Sequence, residues 1–306
     1  MDYIFCTVLS KKRIYQALAL IQSLYKEIKE DFQFYILCVD DETFEVMKKL
    51  NWKNITVIHD KEMGKEVQQL KLSRKLHEYC WTLKSLFIEK LFDKDKTIAR
   101  ITYLDSDLYF WNNPNKIFRN YQDCSVLLTK ENKETSSSNK SVLKNADAIT
   151  GKYNSGFISI NRDENGLAAL SWWKERCLES CEISPSKGKF GDQKYLDNLP
   201  IYFDNICEIK TKGVNIGPWN FRKYHYSVKN KKVYINSHPL IFFHFSGLRI
   251  VDKNKIKLIH NSEKDIPFIF KIYKYELQKV IDIVKKEMPD FDGFAKDSDL
   301  KLFWEI

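Results

Sequence analysis

Apolar and polar positions alternate in blocks along the first third of the chain. "YIFCTV" (Tyr3–Val8) is an apolar run of strand length. Behind it Ile14, Leu18, Ile21, Tyr25 and Ile28 recur at helical spacing and mark one stripe. "QFYILCVD" (Gln33–Asp40) reads as a second buried strand, and "DETFEVMKKL" (Asp41–Leu50) as a helix with acids in its first turn. "ITVIH" (Ile55–His59) predicts a third strand. "EYCWTLKSLFIEKLF" (Glu78–Phe92) predicts a helix with Leu83, Leu86, Phe87 and Leu91 inward, and "TIARITYL" (Thr97–Leu104) a fourth strand. The order βαβαβαβ predicts an α/β fold with a mostly parallel central sheet and helices on both faces.

The middle is less regular. "TKENKETSSSNKSVLKNADA" (Thr129–Ala148) is polar and reads as a mobile loop. "YNSGFISIN" (Tyr153–Asn161) reads as a turn running into a strand. A helix over Leu167–Glu179, a short one at "GDQKYLD" (Gly191–Asp197) and a strand at "PLIFFHFSG" (Pro239–Gly247) follow. Near the end, Tyr273, Leu277, Val280, Ile281 and Val284 form one helical stripe. With no repeat and no second globular pattern, the division is residues 1–250 as one domain and 251–306 as a helical tail packed on it.

In such a sheet, ligands bind beyond the carboxyl ends of the strands. That address sorts four Asp-x-Asp triplets. Asp93/Asp95 falls in a lysine-rich turn at the opposite edge, and Asp290/Asp292 and Asp297/Asp299 lie in a polar tail. Asp40 and Asp105 sit at carboxyl ends. In "ITYLDSDLYFW", extended backbone points Asp105 and Asp107 the same way, so both can meet one Mn²⁺ or Mg²⁺ shared with substrate phosphates. Taken alone, the pair also suits a solvated acidic turn. The chain has ten glycines and neither G-x-x-x-x-G-K-[ST] nor G-x-G-x-x-G, so no glycine loop cradles a phosphate and a metal would have to hold it. His244, between Phe243 and Phe245, reads as a core histidine or a third ligand. Gly247 would let backbone approach a phosphate, and Arg249 could meet it as a fixed charge. "YNSGF" sets Asn154 and Ser155 before a strand, "GDQ" sets Asp192 and Gln193 at a helix start, and "GPWNF" sets Trp219 beside Asn220.

Composition changes little. The net charge of +9 comes mostly from scattered lysines and reads as a solvated face. Seven cysteines without a C-x-x-C pair fit a reducing cytoplasm, with Cys177 and Cys181 as core thiols on one helix face. The N-terminal stretch lacks the order of a signal peptide, and no apolar run approaches the length of a membrane span. A cytoplasmic protein is expected. The tail and the basic balance could also dock at the inner face of an anionic membrane.

"YLDSDLYF", "YNSGF", "GDQKYLD" and "FFHFSG", in this order, resemble GT-A-fold glycosyltransferases. They are most similar to glycosyltransferase family 8 and related nucleotide-diphospho-sugar transferases of bacterial polysaccharide and lipopolysaccharide pathways. The resemblance runs from the first strand to about Gly247. It implies a Rossmann-like GT-A domain, with Asp105 and Asp107 as the D-x-D metal ligands and His244 as the third. It sets Thr7 at the nucleotide, Asn154 and Gly156 beside the donor sugar, and Asp192 and Gln193 facing its reacting carbon. Lys84 lies on a helix that sends a basic residue to donor or phosphate. Asp40 and Ser106 complete the expected donor-binding set with Gly247 and Arg249. "HFSGLRIVD" departs from the family's H-x-x-G-x-x-K-P-W, lacking its diphosphate lysine, and Arg249 is the expected substitute.

The implied activity is Mn²⁺- or Mg²⁺-dependent transfer of a hexose from a UDP-sugar to a hydroxyl of a glycan or lipid-linked acceptor, with retention favoured over inversion. Nucleic acid is not an expected partner, and oligomeric state is not readable. Two rivals use the same residues: a metal-dependent nuclease or phosphotransferase, and a non-catalytic sugar-binding module.

Overall fold

The computed structural model describes residues 3–133, 146–259, 267–300 and 303–305. Its centre is a seven-stranded sheet. In chain order the strands used below are β1 (Tyr3–Leu9), β2 (Phe32–Cys38), β3 (Ile55–His59), β4 (Arg100–Leu104), β5 (Leu108–Phe110), β6 (Val126–Lys130), β7 (Tyr153–Asn161), β8 (Ile206–Glu208), β9 (Phe242–His244), β10 (Leu248–Ile250) and β11 (Ile256–Ile259). The helices are α1 (Ile14–Glu27), α2 (Asp41–Leu50), α3 (Lys65–Ser73), α4 (Leu76–Lys94), α5 (Glu164–Glu179) and α6 (Ile269–Glu287). The sheet order is β8-β6-β7-β4-β1-β2-β3. All neighbours run parallel except β7, which is antiparallel to both β4 and β6. This is the mostly parallel α/β architecture the block pattern predicts.

Two cores cover the sheet. One packs α1 and α6 with inward residues of β1 and β2; the other packs α4 and α5 with the alternate residues of β1, β4 and β7. A strand buried on both faces reads as a continuous apolar run, which is why β1 is legible without alternation. Helix α1 is buried beyond its predicted stripe: Tyr15, Ala17, Ala19 and Leu20 are inaccessible along with Ile14, Leu18 and Ile21. Both β5 and α6 cover it, α6 by laying Tyr273, Leu277, Val280, Ile281 and Val284 against the same core.

Several expectations need correction. Asn154 and Ser155 lie within β7, not in a turn before it. The polar stretch expected to be a loop from Thr129 begins inside β6, and residues 134–145 of it lie outside the described residues. The strand expected over Pro239–Gly247 is broken. His238–Pro239 pairs with Lys232–Ile235, while β9 pairs antiparallel with β5 and sets His244 opposite Leu108. Helix α3 has no predicted counterpart. It is mostly polar, and Leu72 is 90% exposed, so no stripe marks it.

The thiols divide. Cys177 and Cys181 are buried and free, as expected of core residues. Cys124 and Cys207 form a disulfide between the start of β6 and β8, which the expectation of a reducing cytoplasm does not include. Their separation of 83 residues is closed by parallel pairing, which leaves no local signal. Among the described residues no helix is long and apolar enough to cross a membrane.

One packing contact ties the tail to the strands that carry the acids. The Tyr273 ring on α6 stacks on Phe245, centroids 3.7 Å apart and planes within 5°. Phe245 N–H donates to Asp107 O at 2.8 Å. Tyr273→Ala is therefore expected to cost about 3–5 kcal/mol of unfolding free energy. Urea denaturation measures it, and a loss under about 1 kcal/mol would contradict this packing role.

Candidate active site

The site grows from the carboxyl end of β4. Asp105 N–H donates to Gly156 O at 2.8 Å, and Leu108 N–H donates back to Asp105 O at 3.1 Å, so Asp105–Asp107 forms a tight connection between β4 and β5. The β5–β9 pairing brings in His244, whose Nε2 lies 2.9 Å from Asp107 Oδ1 and 3.8 Å from Asp105 Oδ2. One donor atom from each of the three falls within 4.8 Å of the others. Among the described residues they form the one such group of potential metal ligands. Two carboxylate oxygens and one imidazole nitrogen are a donor set suited to Mn²⁺.

Neighbours orient these donors. His244 Nδ1 lies 3.2 Å from Asn154 Oδ1, which also accepts from Gly156 N–H at 2.9 Å. With Nδ1–H donated to Asn154, Nε2 faces the carboxylates, where it carries a proton to Asp107 or, once deprotonated, offers its lone pair to a cation. Burial opposes the charge on His244, but Asp107 and Asp105 outweigh it and hold its pKa above the usual range. Burial also works against the Asp107 carboxylate; His244 leads the groups that overcome it, with Arg13 and Arg249 adding, and the net shift is downward.

Lys84 is the buried counter-charge. It is 2% exposed, with Nζ 3.0 Å from Asp105 Oδ1, 3.2 Å from Asp192 Oδ2 and 3.1 Å from Ser155 Oγ. Burial alone would drive its pKa down, yet Asp105 and Asp192 reverse the sign and hold the ammonium firmly charged. Asp192 is raised above the usual carboxylate range, chiefly by burial, against the pull of Lys84. Trp173 Nε1–H fixes the backbone there by donating to Asp192 O at 3.0 Å.

Gln193 adjoins the donors through Asn154. Its Oε1 accepts from Asn154 Nδ2 at 3.1 Å and from Ser155 N–H at 3.3 Å. Its Nε2 donates to Glu131 Oε1 at 3.1 Å and Thr150 O at 2.9 Å. The amide thus braces the start of β7. Ser106 is buried beside the two aspartates, and Trp219 sets its ring edge-on to His244 at 5.2 Å.

Thr7 is fully buried in β1, and its hydroxyl has no protein partner. Asp40 caps α2 by accepting from Thr43 N–H at 2.8 Å and takes Lys11 N–H at 3.0 Å. Gly247 turns the chain after β9 at φ +78°, and a Cβ there would lie 2.4 Å from Ile259 Cγ2. Arg249, in β10, donates to Leu248 O at 2.9 Å.

Sequence reading missed two contributors. Glu131 is buried and bonds both Asn154 and Gln193, and Lys133 pairs with its other oxygen at 2.9 Å. It hid inside a polar stretch with no pattern. Arg13 reaches Asp107 at 3.4 Å from the turn before α1, 94 residues away in sequence.

Gly156 has no room for a side chain. A Cβ there would lie 2.5 Å from His244 Cε1 and 2.8 Å from both Asp105 Oδ2 and Asn154 Oδ1. Gly156→Ala is expected to weaken Mn²⁺ binding by about 10–100-fold, as disruption around metal ligands does. Calorimetric titration measures it; unchanged affinity would remove these residues from any metal site.

Residues 32–256 match the profile of a family described as nucleotide-diphospho-sugar transferase. The chain is 42% identical to the uncharacterized protein YfnF of Bacillus subtilis (strain 168), over 98% of this chain and 100% of that one. It is 31% identical to YfnD of the same organism, over 95% and 94%. Among solved structures, it is similar to the galactosyltransferase LgtC in complex with donor and acceptor sugar analogs, with a TM-score of 0.54 and 12% identity over 91% of this chain and 96% of that one. At that identity the likeness establishes the fold, GT-A.

Proposed function

The chain belongs to the nucleotide-diphospho-sugar transferases, and from that premise we propose that it moves a hexose from a UDP-sugar to a hydroxyl of a glycan or lipid-linked acceptor. The observation that carries this reading is the convergence of Asp105, Asp107 and His244 at the carboxyl end of the sheet. These three residues would hold Mn²⁺ or Mg²⁺. When bound, the cation would supply Lewis-acid stabilisation of the leaving diphosphate.

The chain's own residues account for the rest. Asn154 orients His244, Gly156 leaves space beside it, and Lys84 keeps Asp105 and Asp192 from repelling one another. Arg249 is the proposed substitute for the family's diphosphate lysine. Asp192 supports retention over inversion. Its carboxylate is 2% exposed and pinned to Lys84, a poor placement for a base that must reach an incoming hydroxyl. A two-metal nuclease or phosphotransferase would need a second acidic cluster, and the described residues offer one metal-ligand group. A sugar-binding module on the same fold differs from a transferase in releasing no free nucleotide.

Two measurements test the reading. Incubation with a panel of nucleotide sugars and Mn²⁺ is expected to release nucleoside diphosphate from UDP-sugars. Chelator should stop release and added Mn²⁺ restore it. Release from no donor would sink the proposal. Asp105→Ala is expected to lower transfer by on the order of 10²-fold or more. Wild-type turnover in that variant would dismiss the metal role.

A further inference from the structure

Arg13 has no part in the scheme above, and it precedes the residues matched by the family profile, yet it faces the centre. Its Nη1 donates to Gln16 Oε1 at 2.7 Å and lies 3.3 Å from Leu248 O and 3.4 Å from Asp107 Oδ2. Arg249 donates to the same Leu248 oxygen at 2.9 Å. Two guanidiniums therefore gather around one carbonyl at the rim of the carboxylates.

This pairing is unfavourable in itself. Burial, and then the charge of Arg13, press the Arg249 pKa down to about 10, with Asp107 opposing. The Arg13–Asp107 approach is longer than the roughly 2.7–2.9 Å of a strong charge-assisted hydrogen bond. Arg13 also keeps 26% of its side chain exposed. It balances Asp107 without being locked to it. Two forked donors at one rim suit an oxyanion of more than one charge, provided the neighbouring carboxylates are themselves neutralised.

We propose that Arg13 is an exchangeable counter-ion: it balances Asp107 before a divalent cation binds, then joins Arg249 on the donor's β-phosphate, which becomes the doubly charged terminal phosphate of the nucleoside diphosphate as its bond to the sugar breaks. The inference rests on the reading of the site as one for a nucleoside diphosphate. It has a consequence that a purely structural role lacks. Cation and Arg13 compete for Asp107, so loss of the guanidinium favours the cation alone and disfavours the diphosphate that follows.

The test is calorimetric titration of Mn²⁺ alone, then of nucleoside diphosphates (UDP, CDP, GDP, dTDP) and the matching monophosphates at saturating Mn²⁺. Arg13→Gln is expected to bind Mn²⁺ about threefold tighter or more. It should bind the best diphosphate about tenfold more weakly or worse, the loss expected for a hydrogen bond to a charged group. The matching monophosphate should change far less. Arg13→Lys, which keeps the charge, should hold Mn²⁺ affinity near wild type and recover part of the diphosphate loss. Lys11→Gln removes a charge from the same turn whose Nζ pairs with Glu42, and should leave both affinities unchanged. Arg13→Gln binding both ligands more weakly, or both as wild type, overturns the exchange. So does an equal loss for the monophosphate, or an equal effect from Lys11→Gln. Failure of the wild-type protein to bind any of the four diphosphates with Mn²⁺ overturns the functional reading, and this inference with it.

Discussion

Three aspartates crowd the carboxyl end of one strand, and their mutual repulsion is the constraint around which the rest is arranged. Asp105, Asp107 and Asp192 come from two distant segments, and Asp107 and Asp192 are almost fully buried. Buried carboxylates persist only where positive charge or hydrogen bonds compensate them. The fold supplies compensation from three directions. Lys84 rises from α4 between Asp105 and Asp192, His244 arrives on β9 beside Asp107, and Arg13 reaches across from the turn before α1. Removing one of these would leave a carboxylate facing its neighbours in a poorly solvated place.

The compensation is unequal, which is chemically useful. Asp192 has a buried, short-range partner in Lys84 and little access to solvent. Asp105 keeps a quarter of its side chain exposed, and Asp107 shares its charge between an imidazole and a longer-range guanidinium. The open side of the group is therefore the side on which Asp105, Asp107 and the Nε2 of His244 converge. A divalent cation bound there, as proposed, would add positive charge on that side. The Glu131–Asn154–Gln193 network behind it keeps the histidine in one orientation.

Much of this was legible beforehand, for definite reasons. Strands buried on both faces write long apolar runs, so β1 to β4 and the helices α1, α2 and α4 could be read in order, while the polar α3 could not. The carboxyl-end rule then separated Asp105/Asp107 from three look-alike triplets. His244 stood out as a lone imidazole in an aromatic strand. The hydrogen bonds by which Gln193 braces β7 have no counterpart in the sequence pattern. Asp40 was placed at a strand end, and there it caps a helix.

The sequence by itself determined the layered α/β architecture and set Asp105 and Asp107 at a strand end, because periodicity and strand ends are local properties of the chain, while the resemblance to a known family added His244 as an expected third donor. Tertiary structure alone decided what neutralises those donors. The Lys84–Asp192 and Arg13–Asp107 pairs, the Glu131 network and the Cys124–Cys207 disulfide all join residues far apart in sequence. Electrostatic and covalent partners are chosen by distance in space, and no periodicity along a chain encodes which distant side chain the fold will bring within 3 or 4 Å.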